Sequence, residues 1–122
     1  MINFMDYKTI NKTDASAYIG LAILGLFIPQ LAYRINLLDF SATLAENQIN
    51  LVKAQSMVLL FLALCFYLLG DNKENSIKLN VVRNVAAVVL IAMGALTEFN
   101  AFFIFGVWEG FLSFYTGREL KS

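Results

Sequence analysis

Apolar residues along this chain fall into four long blocks parted by short polar stretches. The longest runs free of charge are Ala15–Tyr33, nineteen residues, and Ala54–Gly70, seventeen. A third block, Leu79–Thr97, carries Arg83 near its start, and a fourth, Asn100–Thr116, carries Glu109 near its middle. A helix rising ~1.5 Å per residue crosses ~30 Å of hydrocarbon in ~20 residues. The pattern therefore predicts an all-α, polytopic membrane protein: a four-transmembrane-helix bundle in a single membrane domain, residues 1–122. Its helices are expected at about 14–35, 48–70, 79–97 and 100–116. Only Glu98 and Phe99 separate the last two, which predicts a tight helical hairpin.

Start and stop signals suggest where each span ends. Thr13-Asp14 offers an N-cap and a first-turn acid for the first span. Thr43 and Glu46 have capping-box spacing ahead of the second. Gly70-Asp71-Asn72 reads as its C-terminal stop, and Gly117 as the stop of the fourth. Segment 71–78 reads as a plain loop. No internal repeat or low-complexity tract interrupts the pattern. Lys8 and Lys12 precede the first block, but no small-x-small cleavage pattern follows it, so it reads as a retained helix.

Composition supports the same class. Apolar residues make up 59% of the chain and charged residues 15%, against about 45–50% and about 25% in soluble domains. So small a chain has too much surface to hide that apolar excess from water. Lys+Arg and Asp+Glu balance at nine each, which leaves no basic field for nucleic acid. Without histidine and with Cys65 alone, neither an intrachain disulfide nor a Cys/His zinc site is expected. Cys65 reads as a small buried hydrophobe. No cofactor is expected.

Charge placement gives an orientation. With four spans, Lys8, Lys12, Lys73, Lys78, Arg83, Arg118 and Lys121 fall on one side and Arg34 and Lys53 on the other. The richer side is the cytoplasmic one. A multi-pass protein of the cell (inner or plasma) membrane follows, with both termini in the cytoplasm.

In lipid, helices associate through small and polar faces. Such stripes run along Ser16, Gly20, Ile23, Phe27, Gln30 and Arg34 in the first span and Ser56, Ala63, Tyr67 and Gly70 in the second. The third offers Asn80, Asn84, Ala87, Ile91, Ala95 and Glu98. The fourth offers Gly106, Glu109, Gly110, Ser113 and Thr116. Glu109 is the most informative residue, because a lone carboxylate near the midplane must pair, take up a proton or line a wet cavity. Gly106 and Gly110 frame it as GxxxG, a spacing that lets another helix approach closely. Arg83 starts about 6 Å deep and Glu109 about 12 Å deep from the same end, within reach of a guanidinium stem. Two readings stand: a proton- or cation-handling carboxylate, or a pair that locks the last two helices. Arg34 and Glu98 form a second candidate pair at the opposite interface. Pro29 deprives Gly25 of a helical donor and should kink the first span.

Pro29-Gln30 near the outer end of a first helix resembles the signature of PQ-loop sugar and amino-acid transporters. The resemblance covers one helix of a three-helix unit, and no second Pro-Gln occurs. Size and span number are similar to small multidrug-resistance transporters, whose coupling glutamate lies in a first helix that here holds no acid. The layout also resembles small four-helix membrane proteins of the DoxX-like kind, without a shared motif. These likenesses assign no family.

No nucleophile–base pair, metal constellation or phosphate loop is present, so an enzyme is not expected. The expected function is a non-catalytic helix-bundle component that self-associates or joins a larger membrane complex. The alternative is a small oligomeric channel or transporter for protons, cations or small molecules that uses Glu109. The partners implied are the lipid bilayer and either a second copy or another membrane protein.

Overall fold

In the computed structural model, which describes residues 6–121, all regular structure is helical. Helix α1 spans Tyr7–Phe27, α2 Pro29–Leu37, α3 Ile49–Leu69, α4 Lys73–Leu96 and α5 Asn100–Lys121, with a 3-10 turn at Glu46–Gln48 ahead of α3. Two stretches, Glu46–Leu69 and Lys73–Leu96, are long and apolar enough to cross a membrane. Only 11% and 17% of them lie buried inside the protein, so their apolar side chains point outward. That is unlike a core helix of a water-soluble fold.

The helix limits differ from the sequence expectation for identifiable reasons. α1 starts a full turn or more before Thr13, because Asp6 is its N-cap and accepts the Thr9 amide at 2.8 Å. That bond holds the Asp6 carboxyl below its ordinary value. Its capping is complete above the usual carboxylate range and fades as pH falls through it. Segment 71–78 is a loop only at its first residues. Asn72 accepts the Asn75 amide and starts α4 at Lys73, so the polar stretch becomes the first turns of a helix. Thr43 and Glu46 form no capping box; Ala45 precedes the 3-10 turn without a side-chain cap. Gly70 does end α3, but α5 continues past Gly117 to Lys121.

Pro29 does more than kink the first span. α1 stops at Phe27, Ile28 takes a non-helical conformation, and Pro29 opens the separate helix α2 at its first turn. There its missing N–H costs nothing. Leu38, the only non-glycine residue with positive φ among those described, closes α2 in the left-handed conformation at φ 55°.

The helices form two antiparallel pairs, α1 with α3 and α4 with α5, that touch each other sparingly. Close approach within each pair depends on small residues. In α1 and α3, Gly25 faces Ser56 and Gly70 faces Asn11; in α4 and α5, Gly94 faces Phe103 and Gly106 faces Ala87 and Ile91. The GxxxG frame on α5 is thus occupied within the chain. A Cβ at Gly106 would stand 2.6 Å from Ile91 Cγ1 and 2.9 Å from the Ala87 carbonyl oxygen, whereas one at Gly110 would meet only Ala87 Cβ at 3.8 Å. Gly106→Ala should therefore cost about 1–3 kcal/mol, and Gly110→Ala within about 0.5 kcal/mol. Reversible unfolding in bicelles checks this; equal losses at the two positions would show that α4 and α5 are not so closely apposed.

Candidate functional site

Arg83 on α4 is 2% exposed, while large apolar side chains crowd the outer faces of α3, α4 and α5. A buried guanidinium must have its donors matched, and all four long helices contribute to that. From α1, Asn11 Oδ1 accepts from Nη2 at 3.0 Å, and Asp14 Oδ2 lies 3.6 Å from the same nitrogen. From α5, Thr116 Oγ1 lies 3.5 Å from Nη1 and Glu109 Oε2 3.4 Å from Nε. From α3, the Phe66 ring lies under the guanidinium, 5.1 Å from centroid to Cζ.

A second layer fixes these partners. Asn11 Nδ2 donates to the Gly70 carbonyl at 3.1 Å and to Ser76 Oγ at 3.2 Å, and Ser76 itself donates to Gly70 at 2.9 Å. This ties the starts of α1 and α4 to the end of α3. Trp108 Nε1 donates to Asp14 Oδ1 at 3.3 Å. Asp14 and Glu109 approach each other beside the guanidinium, and the Tyr18 hydroxyl faces both. Three buried atoms of this cluster, Arg83 Nε, Glu109 Oε2 and Tyr18 Oη, close no hydrogen bond.

The cluster forms one wall of a cleft of 580 Å³ between the two helix pairs. That volume is within the range of about 300–1,000 Å³ usual for small-molecule sites. Its exposed rim includes Val58 and Leu62 on α3 and Val82 and Met93 on α4. These two helices barely touch. Most of the lining is apolar or aromatic, including Phe102 and Phe105 from α5 and Leu59 from α3.

The sequence-derived candidates divide. Arg83 and Glu109 meet in the cluster. Asn84 lies outside it, accepting the Ser113 hydroxyl along the α4–α5 seam. Gln30 and Arg34 work elsewhere: Gln30 bridges the Ala42 carbonyl at 2.8 Å and the Leu44 amide at 3.0 Å, and Arg34 donates to Ala42 at 2.9 Å. Together they fold segment 38–45 against α2. Glu98 is exposed at the cleft rim. Sequence reasoning missed Asn11, Asp14 and Tyr18. Starting the first helix near residue 14 removed its first turns and moved its polar stripe. Ser16, Gly20, Ile23 and Phe27 in fact face outward, while Asn11, Asp14 and Ala15 face in. The spacing of Asn11, Asp14 and Tyr18, i, i+3 and i+7, was the available signal.

Comparison with known protein families, curated proteins and solved structures gives no match. Function is therefore read from geometry.

Asn11 is the joint between the cluster and its scaffold. Asn11→Ala leaves Arg83, Ser76 and Gly70 short of partners and should cost about 2–3 kcal/mol, whereas Trp108→Phe, which removes one longer bond, should cost about 1 kcal/mol. Unfolding of the two variants in bicelles decides; a neutral Asn11→Ala would show that the network contributes nothing to holding the helices.

Proposed function

We propose that this chain is a four-span membrane protein of the cell (inner or plasma) membrane with both termini in the cytoplasm. It carries no catalysis of its own, and its cleft is the binding site of a small transporter or channel. The two apolar spans support the membrane setting. The excess of Lys and Arg at the ends of α1, α4 and α5 that carry the termini and the 71–78 segment supports the orientation.

One observation carries the transport reading: a buried Asp14–Arg83–Glu109 cluster forms one wall of an open cleft. Replacing a buried ion cluster by packed apolar side chains is often neutral or stabilising. Cohesion alone is therefore a weak reason for three charges at this depth. Intramembrane ionisable residues that line a cavity mark ion or substrate paths. Proteoliposomes should pass at least one of protons, alkali cations, halides or small amines faster than empty vesicles. Glu109→Gln, and Ala86→Trp in the cleft lining, should remove that flux. Wild-type vesicles no leakier than empty ones contradict the reading.

A second reading, a self-associating or complex-forming component, draws on Gly20. This residue is exposed on α1 with open space around its missing Cβ, which leaves room for another helix backbone. Native mass spectrometry should then show oligomers that Gly20→Leu disperses. A monomer with no partner recovered by pull-down argues against it.

A further inference from the structure

The chemistry of the cleft selects among molecules by charge. Four ionisable side chains of Asp, Glu, Lys or Arg line it: Asp14, Glu98 and Glu109 against Arg83. When all are ionised, acids outnumber bases three to one. The two terminal nitrogens of the guanidinium are engaged by Asn11, Asp14 and Thr116 and the Phe66 ring covers its face, while its Nε, which closes no hydrogen bond, lies 3.4 Å from Glu109 Oε2. Glu109 is the more exposed of the two, at 6% against 2% for Arg83, and lines the cleft with its Oε2 free of any hydrogen bond. The Tyr18 hydroxyl beside it is also unpartnered. An entering anion would meet the carboxylates before it reached Arg83, whereas an entering cation would find Glu109 Oε2, which faces Arg83 Nε without a hydrogen bond. Around this polar spot the walls are apolar and rich in aromatic faces from Tyr33, Phe99, Phe102 and Phe105. Such faces attract cations as well as hydrocarbon.

We propose that the cleft binds lipophilic organic monocations, aryl- or alkylammonium compounds, whose charged head sits between Glu109 and Asp14 and whose apolar tail lies along the aromatic wall toward α3 and α4. The inference rests on the transport reading's premise that the cleft is a ligand site, and it adds the sign of the ligand's charge.

The test uses three compounds of matched shape: benzyltrimethylammonium, its neutral isostere neopentylbenzene, and phenylmethanesulfonate. Binding to the full chain in nanodiscs is measured by saturation-transfer NMR, with empty discs subtracted. The cation should bind at least tenfold more tightly than the neutral compound, and the sulfonate more weakly than either. Glu109→Gln should lower cation affinity at least tenfold and leave neopentylbenzene within about twofold, an invariance that also shows the variant is folded. Should that variant not fold, Asp14→Asn carries the same expectation, and the three-compound series on the native protein decides by itself. Equal binding of cation and neutral compound, or preference for the sulfonate, overturns the inference and leaves the cleft as a ligand site. Absence of binding by all three overturns the ligand site and the inference together.

Discussion

One guanidinium organises this molecule. Arg83 projects from α4 into the junction of all four long helices, where water does not reach it. In a soluble protein apolar burial would bring helices together, with polar contacts added afterward. Here the large apolar side chains of α3 and α4 point outward, so their burial does little to select one helix neighbour over another. The specific contacts left are small-residue seams and the polar cluster. The seams hold α1 to α3 and α4 to α5. The cluster joins the two pairs at one end.

That division of labour explains the cleft. Close approach at Gly25–Ser56 and Gly70–Asn11 draws α1 and α3 together, and at Gly106–Ala87 and Gly94–Phe103 draws α4 and α5 together, which makes two plates of two helices each. They meet at the Arg83 cluster, where Asn11, Ser76 and Gly70 lock one end. Nearer the other end, α2 reaches α5 through the Asn100–Leu37 hydrogen bond and the Tyr33–Phe99 edge contact. Between these joints the plates stand apart, and the space is lined with whatever faces inward. The break at Ile28 contributes to this arrangement: with Pro29 starting a new helix, α2 leaves the line of α1 and carries Tyr33 to the cleft.

The all-helical fold and the two long apolar helices α3 and α4 were legible in the sequence, because a helix whose outer face is apolar leaves a long apolar run. The Arg83–Glu109 approach was also legible, since position along two adjacent helices can be counted at a fixed rise per residue. What was hidden followed from polar helix ends. Residues 7–13 and 73–78 look like loop because Lys, Asn and Thr crowd them, yet their caps, Asp6 and Asn72, make them helical. Losing the first turns of α1 hid Asn11 and turned Asp14 into a first-turn acid beside the Thr13 cap. Gln30 and Arg34 misled for another reason: a polar side chain near a proline break has backbone groups of the following segment to satisfy, and here it does so at Ala42 and Leu44. No periodicity distinguishes that role from a substrate contact.

The account stands or falls on whether Arg83 and Glu109 act on each other inside the folded protein. A double-mutant cycle with Arg83→Met and Glu109→Gln, measured by reversible unfolding in lipid bicelles, reads that interaction directly. Removing either partner alone leaves a buried charge unmatched, so the account requires the double variant to recover roughly 1–3 kcal/mol relative to the sum of the single losses. Strictly additive losses would mean that the two side chains do not meet, and the junction of the four helices would need another cause.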